Sequence, residues 1–208
     1  MALPPKFAAL RFGSASAANT IELYLDFVCP FSKRQFKTVY DSVLPLLSGN
    51  ESGYGSRVSF IFRPQVQPWH PASTLLAESA LAVATLSPAA FWAFADALFT
   101  ASETFYDSHT VNESRAGTYG RLARVASALE VPEQSFLRAL EVEAAKSPAE
   151  KGRNEGNSVT GAVKWHVKYA RQNGVHVSPT VAFNGVVDGS ISSGFSKADW
   201  VDWFDKNL

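Results

Sequence analysis

The chain has 208 residues, 46% of them hydrophobic, which suffices for one packed domain and argues against disorder. Lysine plus arginine equals aspartate plus glutamate at 19 each, so no long-range field gathers nucleic acid or anionic lipid. A single cysteine excludes a disulfide framework and any metal site built on several thiolates, and no apolar run approaches the roughly 18 residues of a membrane span, so a soluble protein of the reducing cytoplasm is expected.

The N-terminal stretch carries Lys6 and Arg11 but no acid, which leaves organelle import as a minor alternative; Pro4-Pro5 and the lack of an apolar core count against a secretory signal. Residues 6–12 offer a short edge strand. Positions 20–27 are rich in strand formers, with Ile21, Leu23, Leu25 and Phe27 on one face and Tyr24 on the other. Cys29 follows at once, and Pro30 suits the first turn of a helix running from 32 to about 47. A polar connection at 50–56 leads to a second strand at 57–62 that ends at Pro64, so a right-handed βαβ crossover is predicted. The Asn-x-Ser sequons at Asn50 and Asn112 read as plain loop sequence.

From residue 72 to about 146 the pattern is helical, with a restart at Ser87-Pro88 and further helices at 116–129 and 132–145. A polar break at 147–156 precedes a helix at 157–172 that stops at Asn173-Gly174. Thr180 to Phe183, Asn184-Gly185 and Val186-Val187 form the strongest hairpin signal, since Asn-Gly supplies the positive backbone angles of a type I′ turn. Ser196 caps a last helix, with Asp199 placed to reach back and Trp200, Val201 and Phe204 on one face. The predicted organisation is a split α/β domain at 1–71 and 157–208, interrupted by a helical insertion at 72–156.

A thiol at the start of a helix faces unpaired backbone N–H groups and the positive end of the helix dipole, both of which favour the thiolate. Cys29 is therefore a candidate nucleophile, the competing reading being a buried small hydrophobe. The turn Leu25-Asp-Phe-Val-Cys-Pro-Phe-Ser32 resembles the active-site turn of DsbA-like thioredoxin-fold proteins, and Val177-Ser-Pro-Thr-Val-Ala-Phe-Asn-Gly185 resembles their cis-proline loop and hairpin. The helical insertion sits where that family carries one.

The resemblance implies a thioredoxin-like α/β fold with an inserted all-helical subdomain, and a Ser178-Pro179 loop facing Cys29. A cis bond before Pro179 would expose the Ser178 backbone for strand-like pairing with a peptide or glutathione. Catalytic roles fall to Cys29 and Ser32, and binding roles to Pro30, Phe31, Ser178, Pro179, Trp69 and His70. Ser32 stands where a dithiol oxidoreductase has its resolving cysteine, so ordinary dithiol cycling is excluded. A mixed disulfide with glutathione or a peptide thiol remains, with Ser32 donating a hydrogen bond to the thiolate or serving only as an N-terminal helix residue. Asp26, Phe27, Pro30 and Ser32 are also similar to the opening of kappa-class glutathione transferases and hydroxychromene-carboxylate isomerases, which activate glutathione toward small apolar molecules. A binding module that has lost dithiol chemistry is the third option.

The segment Arg63-Pro-Gln-Val-Gln-Pro-Trp-His-Pro71 leaves a strand end, where α/β sheets usually bind ligands. Trp69 and His70 are expected to line the site, His70 as a general base or thiolate partner or else as a capping residue. Arg63 is open between binding a carboxylate and a structural salt bridge. His166 reads as a packed histidine, His176 is ambiguous, and His109 has no metal-ligand spacing around it. Trp200, Trp203 and Phe204 read as core before partner surface, whereas Phe91, Trp92, Phe94 and Phe99 are either core or the roof of an apolar pocket. No metal is expected, and the oligomeric state is open, a homodimer included.

Overall fold

In the computed structural model, residues 3–48 and 53–208 are described; the Asn50 sequon and the first part of the 50–56 connection lie outside them. A 3-10 turn at Pro5–Leu10 opens the chain where the sequence suggested a strand. Pro5 starts that turn, and Phe7 and Leu10, three residues apart, are both buried by it. Only Arg11–Phe12 extends as β1. β2 follows at Asn19–Leu25, then α1 at Pro30–Thr38, which passes through a wider turn at Val39–Val43 into α2 at Leu44–Ser48.

β3 spans Val58–Pro64. The helical block consists of α3 (Ser73–Leu86), α4 (Phe91–Ala101), the short α5 (Asp107–Thr110), α6 (Arg115–Ser127) and α7 (Glu133–Leu140). α7 stops at Leu140 and not at Ala145, because Phe136 and Leu140 are its buried residues and 141–146 are exposed, with no apolar face left to pack. α8 starts at Thr160 because the Asn157 side chain accepts the Val159 N–H in a local turn before the helix begins. β4 (Thr180–Phe183) and β5 (Val186–Val187) are joined through Asn184 and Gly185, both at positive φ. α9 (Lys197–Asn207) opens with a reciprocal cap between Ser196 and Asp199.

The strands form a single sheet in the order β1-β3-β2-β4-β5. β2 and β3 pair in parallel, with Ile21 opposite Phe60 and Leu23 opposite Phe62; β4 and β1 run antiparallel to their neighbours. One face carries the main core. Phe62 packs against Phe27, Phe36 of α1, and Phe91 and Phe99 of α4, while Phe60 meets Trp200 and Phe204 of α9. The aromatic residues of α4 and α9 are thus core, and α4 fastens the helical block to the sheet.

The opposite face is covered by α8 and is also buried. There Arg63 Nε donates to Glu22 Oε2 at 2.6 Å, and both side chains are sealed from solvent. The guanidinium lies over the Tyr169 and Trp165 rings at 4.4 and 5.7 Å, and Tyr24 and Tyr169 donate hydroxyl bonds to the same carboxylate oxygen. Burial and the neighbouring Glu22 carboxylate push the Tyr24 hydroxyl well above its ordinary range. Arg63 is therefore a structural partner of Glu22. His166 is buried beside Phe7 and Trp165, and burial, with the cations Arg63 and Lys6, drives its pKa down to about 3, so it stays neutral. Among the described residues no helix is long and apolar enough to cross a membrane.

Candidate active site

β2 ends at Leu25, and the next residues form a tight turn in which the Cys29 N–H bonds the Asp26 carbonyl at 3.1 Å. Cys29 occupies the N-cap of α1 in extended backbone, with Pro30 as the first helical residue, where a missing N–H costs nothing. Its sulfur lies 3.6 Å from the Ser178 carbonyl, to which the thiol donates. The Ser178–Pro179 bond is cis, and β4, hydrogen-bonded to β2, delivers that loop to the turn. The two motifs are distant in sequence and adjacent in space.

Cys29 is 6% exposed and Val28 before it equally buried, whereas Pro30 and Phe31 after it are open to solvent. Phe31 and Trp69 are each about three-fifths exposed and Val177 is more than half exposed, an exposed apolar rim on the segments that carry Cys29, His70 and Ser178. Pro30 is exposed and Pro179 half-buried. A cavity of about 370 Å³ opens beside the turn, lined by Val28, Pro30, His70, Phe105, Tyr106 and Asp107. A larger cavity, of about 610 Å³, lies in the helical block between α6 and α7, and no residue of the cysteine turn lines it.

Ser32 does not face the sulfur. It is fully buried, and its hydroxyl accepts the Asp26 backbone N–H at 3.2 Å, so the hydrogen bond to Cys29 expected from the sequence is not formed. The serine points inward, where the end of β2 presents the Asp26 N–H to its hydroxyl.

The residue that organises the site is Asp26, which the sequence reading used only as part of a family pattern. Its Oδ1 accepts the Val28 N–H at 3.0 Å, closing the turn before Cys29. Its Oδ2 accepts the Gln67 N–H at 3.1 Å and lies 2.9 Å from His70 Nδ1. The signal for it was an acid placed directly after an apolar strand, where a solvated charge is not expected. His70 is a quarter exposed, with one edge on Asp26 and its ring at the cavity. His176 and His109 are exposed, and among the described residues no group of three histidine, cysteine or acidic side chains is placed to hold a metal.

Comparison with known proteins agrees with this fold. The thioredoxin family matches residues 8–197. A Pseudomonas syringae structure, provisionally called a protein-disulfide isomerase, superposes with a TM-score of 0.71 at 29% identity over 95% of this chain and 98% of that one. Bacillus subtilis BdbD superposes at 0.58 with 19% identity, over 95% and 89% of the two chains. Chlamydia trachomatis DsbA does so at 0.60 with 14% identity, over 99% and 92%. No curated protein matches. With a sulfur against the cis-proline loop, an insertion of helices and a match over most of its length, the chain belongs to the thioredoxin family and has the DsbA-like form of its fold, with its one cysteine in the turn between β2 and α1.

Proposed function

We propose that the protein is a monothiol thiol-disulfide oxidoreductase that works through mixed disulfides of Cys29 with glutathione or a peptide thiol. The observation that carries this reading is the 3.6 Å approach of Cys29 Sγ to the Ser178 carbonyl at the start of α1. Cys29 stands at the N-cap of α1, with its sulfur turned to the proline loop. A peptide pairing with the Ser178 backbone would bring its own sulfur to the same place. Phe31, Trp69 and Val177 offer apolar surface to its side chains. Pro30 and Pro179 shape the floor.

In the exchange, the Cys29 thiolate attacks one sulfur of a disulfide, a new Sγ–S bond forms, and the other sulfur leaves as thiolate. With Ser32 in the second position, release needs an external thiol. A transferase or isomerase reading, in which Ser32 orients the glutathione sulfur, has less support because that hydroxyl is buried on the Asp26 N–H. Intact mass after incubation with oxidised glutathione tests the proposal. One glutathione added to wild type and none to Cys29→Ala supports it; unmodified wild type overturns it. Turnover of an apolar substrate with glutathione that survives Cys29→Ala would favour the transferase class instead.

A further inference from the structure

We infer that His70 accepts the proton of a low-molecular-weight thiol entering the cavity beside Cys29, and that Asp26 is the residue that positions it. This rests on the exchange chemistry proposed for Cys29. Asp26 Oδ2 already takes the Gln67 N–H, and a carboxylate can only accept, so the contact at 2.9 Å puts the ring proton on His70 Nδ1. In the neutral ring Nε2 is then the bare, accepting nitrogen. It has no hydrogen-bond partner among the described residues, and the ring lines the same cavity as Val28 and Pro30, the residues on either side of the cysteine. Asp107 lines it as well, and Asp26 faces the ring at Nδ1, where it would stabilise a transient imidazolium. Cys29 thus meets the Ser178 carbonyl on one side, and the residues flanking it line a cavity that holds a proton acceptor.

The step balances as follows. Cys29 is held as a mixed disulfide with a peptide. The incoming thiol gives its proton to His70 Nε2, and its electron pair forms a new bond to Cys29 Sγ. The bond from Sγ to the peptide sulfur breaks with its pair on that sulfur, which leaves as thiolate and receives the proton from the imidazolium. One disulfide replaces another, with no net gain or loss of electrons. A protein that lacks a second cysteine needs such a proton acceptor more than a dithiol one does, because its resolving thiol arrives from solvent as a thiol and not as a preformed neighbour.

The test compares two thiols on full-length protein loaded at Cys29 with a peptide mixed disulfide: glutathione, largely protonated at neutral pH, and 2-nitro-5-thiobenzoate, already a thiolate. His70→Asn keeps an amide donor toward Asp26 and removes the accepting nitrogen. The glutathione rate should fall by about 10²-fold, while the thiobenzoate rate stays as in wild type. Added imidazole should restore the glutathione rate of His70→Ala, which serves as the second variant if the asparagine protein unfolds. Asp26→Asn should lower the glutathione rate selectively in the same way. Equal loss with both thiols, or no loss with either, overturns the assignment. A wild-type protein that never forms a Cys29 adduct overturns the exchange reading itself, which the loading measurement shows separately.

Discussion

Arg63 Nε and Glu22 Oε2 meet at 2.6 Å under the sheet, on adjacent parallel strands and with no route to water. Removing one partner leaves the other charge buried and uncompensated, which typically costs about 3–5 kcal/mol. Arg63→Met and Glu22→Leu should each lower stability by about that much in urea unfolding. The combined Arg63→Met, Glu22→Leu protein should recover much of the loss. Simple additivity of the two single changes would show that the pair is not coupled.

Ser32 separates a structural from a catalytic role. Ser32→Ala strips the Asp26 N–H of its acceptor in a buried position, and an unsatisfied donor there costs about 1–3 kcal/mol. The midpoint of denaturation should drop accordingly, while the rate at which oxidised glutathione modifies Cys29 stays at the wild-type value. A slowed modification rate with unchanged stability would put the hydroxyl back beside the sulfur.

His166 makes stability pH-dependent in one direction. Its pKa is held down to about 3 by burial and by Arg63 and Lys6, against about 6.5 in an unfolded chain. Between those values the unfolded state takes up a proton that the native state refuses. Stability therefore falls as the pH drops below about 6.5, by about 1.4 kcal/mol per unit once well below it, until about pH 3. His166→Phe should remove about one proton from the uptake measured on acid unfolding. An unaltered proton count would disprove the assignment.

Phe31 and Trp69 lie on the surface and do little for the fold. Phe31→Ser and Trp69→Ala should each change stability by less than about 0.5 kcal/mol. Release of an apolar peptide from its Cys29 adduct should quicken relative to a polar peptide of the same length, because the rim no longer holds it. Stopped-flow rates with two such peptides check this, and equal changes for both would rule out a docking role for the rim.

The approach of Cys29 to Ser178 was implied only by the resemblance of two motifs to one family: local signals mark a proline-led helix after an apolar strand and a proline loop running into an Asn-Gly hairpin, but do not by themselves bring the two together. The hairpin and the Ser196 cap depend on residues within a turn of one another, which is why they read directly. Arg63 was not decidable from sequence, since alternation in β2 places Glu22 away from the main core but says nothing of α8 closing over that second face. The role of Ser32 stayed open for a similar reason. Its register with Cys29 is visible, but the unpaired Asp26 N–H that claims its hydroxyl exists only once β2 ends where it does. Asp26 itself was hidden because two of its contacts come from residues 67 and 70, more than forty positions away.

That one carboxylate is a mechanical junction. The loop bearing Trp69 and His70 and the turn bearing Cys29 are fastened to opposite oxygens of the same side chain, with Val28 on one and Gln67 and His70 on the other. Neither segment swings without dragging on a buried charge whose lost bonds would cost about 1–3 kcal/mol each.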